Sequence, residues 1–177
     1  MEPKTIILFA TPYGGKDTHA NILKNFFNNK EIPFVDVATG EYFRKLDKGN
    51  YTLELIQEMI NNGKLAPDFI AESVVIDILF KNLTFEKSII FNGFPRNLEQ
   101  AKKLWEVLKF YGRIKIDVIY IEISPETATR IKIFKKNTTE MMGFMENKFV
   151  LHHIDGNGTI EEVSAHIFKA LNLNSLK

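Results

Sequence analysis

Between residues 10 and 18 the chain reads ATPYGGKDT, directly after the apolar run TIILF. Gly14, Gly15, Lys16, Asp17 and Thr18 are residues suited to phosphate. Glycines let backbone N–H groups turn inward, a helix N-terminus can stand behind them, and a lysine ammonium can meet the outer phosphates. Gly-Gly-Lys also occurs in ordinary strand-to-helix turns, so this stretch alone leaves both readings open. Three later stretches carry further candidates. ATGEYFR contains Thr39, Gly40 and Arg44; NNGKLAPD surrounds Gly63; NGFPRNLEQ contains Gly93, Pro95, Arg96 and Gln100. Taken singly, these are a Thr-Gly turn, a helix-ending glycine and a turn that carries an arginine.

The elements that must hold these residues alternate along the chain. Thr5–Phe9 is a short β-branched and apolar run, a buried strand by pattern. Ala20, Leu23, Phe26 and Phe27 then recur at helical spacing until Asn28-Asn29. Pro33–Val37 is a second strand. Residues 40 to 80 read as three helical pieces, punctuated by Gly63, with Pro67 in the first turn of the third. Ser88–Phe91 is the third strand, and Leu98, Ala101, Leu104, Trp105 and Leu108 form the stripe of the next helix. Ile114–Ile123 is almost continuously β-branched, as in a strand covered on both faces. Ser124-Pro125 opens a helix to about Lys136. The stretch Lys136–Asn147 has the weakest pattern and reads as loop or frayed helix. Val150–Ile154 is the fifth strand. A last helix carries Ile160, Val163, Ile167 and Leu171, with capping-box spacing at Thr159 and Glu162. Five strands separated by helices imply a doubly wound parallel α/β fold.

Composition narrows the class. The 177 residues suit one domain, with 45% hydrophobic and 25% charged residues and a net charge of +1. That balance gives no reason to expect nucleic acid or an anionic membrane as partner. Cysteine is absent, which excludes disulfides, thiolate metal sites and a cysteine nucleophile. Ile6–Ala10 is too short for a signal-peptide core or a membrane span, so a cytoplasmic location is expected.

In order and spacing, the phosphate-loop stretch, ATGEYFR, NNGKLAPD and NGFPRNLEQ together resemble the adenylate kinase family of nucleoside monophosphate kinases. The resemblance runs over about residues 4 to 135 and resumes near 148. It implies a phosphate-loop fold with a core over 1–38, 69–136 and 148–177. A helical monophosphate-binding insertion would occupy about 39–68, and a vestigial lid about 136–147. The implied reaction moves the terminal phosphoryl of ATP to AMP with Mg²⁺, mostly by positioning and charge stabilisation. Thr39 and Gln100 would face the adenine of AMP, with Gly40 and Gly93 beside it. Arg44 and Arg96 would clamp its phosphate, a task suited to planar guanidiniums. Lys16, Arg96 and Arg130 are the implied catalytic cations.

The departures fall on the donor side. Ala10 and Tyr13 stand where the family has glycine, and a side chain in a left-handed backbone at Tyr13 costs about 1–2 kcal/mol. Asp17 also replaces a glycine; a carboxylate about 5 Å from a phosphate charge is repelled by about 3 kcal/mol at an effective dielectric near 20. Asp17 is thus either a Mg²⁺ ligand or a partner that closes Lys16 off. Asn92 replaces an aspartate, and Phe134 replaces an arginine, with Lys135 and Lys136 beside it. No arginine follows Arg130, and the family's lid is reduced to about a dozen residues. Each lost phosphate donor costs about 3 kcal/mol of transition-state stabilisation. The expected protein is therefore a nucleotide binder with a whole AMP site and weak or absent transfer. The alternatives are a reduced but working kinase and an AMP-sensing or assembly protein. Met141, Met142, Phe144 and Met145 cover the shortened lid edge or form a partner surface. DGNGTIEE from Asp155 is a turn and helix cap rather than a calcium loop, and His152-His153 lacks nearby soft ligands.

Overall fold

The computed structural model describes residues 2–45, 49–61, 66–123 and 128–173; the side chains of 60, 61 and 128–137 lie outside that description. The chain alternates strand and helix in the order β1 (Thr5–Ala10), α1 (Lys16–Asn29), β2 (Phe34–Ala38), α2 (Thr39–Arg44), α3 (Tyr51–Asn61), α4 (Asp68–Asn82), β3 (Ser88–Asn92), α5 (Leu98–Phe110), β4 (Ile116–Glu122), α6 (Ala128–Lys148), β5 (Val150–Asp155) and α7 (Ile160–Ala170). The strands form one parallel sheet in the order β2-β3-β1-β4-β5. This is a phosphate-loop α/β fold of the doubly wound kind.

The near-continuous apolar strands follow from burial on both faces. Along β1, Ile6 and Leu8 face one core with Leu23, Phe26 and Phe27 of α1 and Ile167 and Phe168 of α7. Ile7 and Phe9 face the other core with Val75 and Leu79 of α4, Leu104 of α5 and Met145 of α6. Period-two alternation thus divides one apolar run between two layers. The order also makes β1 the switch point, with β3 on one side and β4 on the other. Ligand crevices in such sheets open beyond the strands' carboxyl ends at that point.

Some local expectations need adjustment. The stretch Lys136–Asn147, read as loop or frayed helix, continues α6, which runs unbroken from Ala128 to Lys148. Met141 and Met145 are fully buried there, in the same core as Trp105 and Phe149. Those two methionines are core residues and present no surface to a partner. Their i, i+4 spacing is the helical signal that the polar neighbours masked. Pro67 precedes α4 as its N-cap, with φ −54° and ψ 144°, one residue before the expected first turn. Its extended backbone leads into the helix, and Asp68 supplies the acidic first residue. At β4, Ile114 lies outside the strand and is exposed. Gly63 and Ser124-Pro125 lie outside the described residues.

Candidate functional site

The phosphate loop hangs from the end of β1 and is pinned to β4. Thr11 N–H donates to Ile121 C=O at 3.0 Å, and Ile123 N–H donates to the Thr11 hydroxyl at 3.1 Å. Gly14 closes the turn onto Thr11 C=O at 3.0 Å. A Cβ there would lie 3.1 Å from both Ala10 Cβ and Thr11 O, so close packing favours glycine at this position. Gly15 takes the left-handed N-cap position of α1, with φ 66° and no capping side chain. The first N–H groups of α1 therefore face the loop as an anion-binding end. Ala10 ends β1 with ordinary strand geometry, whereas Tyr13 has φ 69° and is exposed. The strain considered at Tyr13 is thus present, whereas Ala10 replaces glycine without a left-handed backbone.

Lys16, Asp17 and Asn92 form a triangle at this end of α1. Lys16 Nζ donates to Asp17 Oδ1 at 2.6 Å and also to Asn92 Oδ1. Asn92 Nδ2 donates to the same Asp17 oxygen at 2.9 Å. The Lys16 hydrogen bond, followed by that of Asn92, holds the Asp17 carboxyl below its usual range against the opposing effect of partial burial. Asp17 is nonetheless 81% exposed and Lys16 25%. An ion pair this open is worth about 0–1 kcal/mol. It occupies the lysine without sealing the loop. Thr18 is exposed in the first turn of α1.

A second concavity, about 440 Å³, opens between β2, β3 and the helices that follow them. It brings together Thr39, Gly40, Arg44, Gly93, Arg96 and Gln100, with apolar walls from Phe43, Leu53, Ile56 and Ala71. Its size and mixed lining suit a mononucleotide-sized ligand. Gly93 has φ 87°, and a Cβ on it would meet Arg96 Nη2 at 3.2 Å. Its carbonyl accepts from Arg96 Nε at 2.7 Å and from the Thr39 hydroxyl at 3.4 Å. Burial lowers the Arg96 pKa, with the Asp17 charge acting in the opposite direction. Arg44 in turn helps to keep Asp17 ionised. Asp17 therefore stands electrostatically between the loop and the arginines. Arg130 lies on α6 at a position whose side chain is outside the description.

Three supporting residues escape a reading of the sequence. Asp68 accepts from Gln100 Nε2 at 2.7 Å and from Asn97 Nδ2 at 2.9 and 3.1 Å. Asn97 is the N-cap of α5, accepting from Gln100 N–H at 2.9 Å. Asn97 and Gln100 have capping-box spacing, a signal available in the sequence. The Gln100 side chain, however, reaches back to Arg96 N–H at 2.8 Å, one residue beyond the usual target. His19 is buried beside Gly15 and shares a 3.0 Å hydrogen bond with Ser164 of α7. Burial depresses its pKa. A lone histidine on an apolar helix face gives no such signal.

A parallel sheet with a phosphate loop at its switch point and an arginine-lined cavity beside it defines a nucleotide-handling P-loop protein. Residues 8–162 match the adenylate kinase family, and the chain belongs to it. It is 31% identical over 191 residues to an adenylate kinase of Prochlorococcus marinus, covering 95% of this chain and 99% of that protein. An adenylate kinase of Thermus thermophilus is 26% identical over 193 residues, covering 96% and 98%. The adenylate kinase of Mycoplasma capricolum is 41% identical over 123 residues, covering 68% of this chain and 54% of that protein. Among the described residues no helix is long and apolar enough to cross a membrane, and no cluster of three or more His, Asp or Glu side chains could hold a metal.

Proposed function

We propose that this adenylate-kinase-like protein binds AMP in the cavity of Arg44, Arg96, Thr39 and Gln100, with weak or no phosphoryl transfer. One contrast carries the reading: the arginine-lined cavity is formed, while Lys16 of the phosphate loop is bound by Asp17 and Asn92. The acceptor phosphate would meet Arg44 and Arg96, and the base would enter between Thr39, Gln100 and the apolar wall. The insertion over about 39–68 acts as the acceptor subdomain. On the donor side the ammonium must leave Asp17 to meet a triphosphate.

A second reading, a reduced but working kinase, rests on the exposure of Asp17. In it, the terminal P–O bond of ATP breaks as an AMP phosphate oxygen bonds to that phosphorus, giving two ADP. Mg²⁺ fits this donor set in the usual way, held by one carboxylate and substrate phosphates rather than by an all-protein cage. Asp17 would hold it, with Thr18 beside it, and it would neutralise phosphate charge. Lys16, Arg96 and Arg130 would supply the protein's own cations. An AMP-sensing or assembly role is compatible with the first reading.

Calorimetry and an ADP-formation assay separate these possibilities. AMP binding below millimolar concentration, lost in Arg44→Ala and Arg96→Ala, supports the acceptor site; no binding at millimolar AMP overturns it. Turnover within about a hundredfold of an ordinary enzyme, whose median is about 10 s⁻¹, would establish the working kinase.

A further inference from the structure

Gln100 is 2% exposed, and both ends of its side-chain amide are engaged by the protein itself. Oε1 accepts from Arg96 N–H at 2.8 Å, and Nε2 donates to Asp68 Oδ1 at 2.7 Å. Both neighbours are one-way groups: a backbone N–H only donates and a carboxylate only accepts. Turned end for end, the amide would set NH₂ against N–H and C=O against carboxylate. Two hydrogen bonds would become two repulsions. Asp68 is itself fixed by Asn97, whose Nδ2 bonds both carboxylate oxygens. The start of α4 and the Arg96 N–H thereby together set the amide orientation at the start of α5.

The geometry points to Asp68 as the positioning residue that sets base specificity, acting through Gln100. This rests on the acceptor reading above. The anchored amide has one further N–H and one further oxygen lone pair to offer a ligand, and Gln100 lines the cavity. With a 5′-phosphate held at Arg44 and Arg96, the base enters in one pose, so each end of the amide faces one ring position. A 6-aminopurine presents a donor at position 6 and an acceptor at N1; a 6-oxopurine presents the reverse. A freely turning glutamine would serve both. One held by Asp68 serves one, and for a site that takes AMP that one is the 6-aminopurine.

The test is calorimetry of AMP, IMP and ribose 5-phosphate with the full chain and its Asp68→Asn variant. Asparagine keeps the shape at 68 but offers an NH₂ that a turned Gln100 can accept from. The wild type is expected to prefer AMP over IMP by about tenfold or more, the discrimination of a bidentate base contact. In Asp68→Asn the preference should fall several-fold without vanishing, because Arg96 N–H still favours the same orientation, with ribose 5-phosphate affinity unchanged. Asn97→Ser, which keeps a capping hydroxyl but releases Asp68, should give an intermediate ratio and stands in if Asp68→Asn does not fold. An unchanged ratio in the variants, or equal weakening of both nucleotides, overturns the assignment. Wild-type failure to bind AMP removes the acceptor reading instead, so the two failures are distinct.

Discussion

Asp17 carries most of the tension in the site at the scale of a single residue. It bonds the lysine that would meet a triphosphate, yet it lies 81% exposed. Repulsion of about 3 kcal/mol at 5 Å and a dielectric near 20 is therefore screened towards about 1 kcal/mol. Asp17→Asn is expected to tighten ATP binding about fivefold in EDTA, by calorimetry. Adding Mg²⁺ should strengthen the wild type more than the variant, because only the wild type offers the metal a carboxylate. Equal gains would show that Asp17 takes no part in holding the metal. Arg96 behaves differently because its guanidinium is aimed: Nε is tied to Gly93 C=O at 2.7 Å. A charge-assisted bond from the aimed guanidinium to a ligand phosphate would contribute about 1.5–3 kcal/mol. Arg96→Ala should weaken AMP by about 10- to 100-fold in the same measurement. Arg96→Lys should recover little, since an ammonium has no fixed fork.

Elements show where reading the sequence succeeds and where it stops. The β1 run, the α1 stripe and the Thr159–Glu162 box were legible because each is a local pattern with one physical meaning. The structure contains that box, with Glu162 N–H donating to Thr159 and Thr159 N–H to Glu162. Helix α6 was less legible, because KNTTEMMGFMEN mixes polar residues and a glycine with its apolar positions. Tertiary contact with α5 decides the matter: Met141 and Met145 lie in the core with Trp105 and Phe149. Local pattern cannot report that contact, and a methionine cluster reads equally well as surface. Met145→Ala should cost about 2–5 kcal/mol in urea unfolding, the range for a buried large-to-small change. A surface methionine would fall within about 0.5 kcal/mol. The Asp68–Asn97–Gln100 ring was illegible for a related reason, since it joins two helix starts that are far apart in sequence.

At the scale of the whole molecule, the sheet separates the two cores, and polar contacts tie the loops to the layers. The order β2-β3-β1-β4-β5 could not be read from strand count, because strand neighbours depend on crossovers rather than on local propensity. The placement of the phosphate loop and the arginine cavity side by side follows from that order. His19 couples two helices within one layer. It lies under Gly15 in α1 and bonds Ser164 of α7, so one imidazole joins the site's floor to the helix packed beside it. Burial lowers its pKa in the folded state, whereas in the unfolded chain it titrates near 6.5. The unfolded state therefore binds the proton more readily, and stability falls as pH drops through and below about 6.5. Above that value the histidine is neutral in both states and its titration exerts no effect. Thermal unfolding of the wild type should thus show a lower Tm at pH 5.5 than at pH 7.5. His19→Gln, which can still bond Ser164 but cannot be protonated, should show a smaller difference between the two values. An identical difference in both proteins would place the acid sensitivity elsewhere.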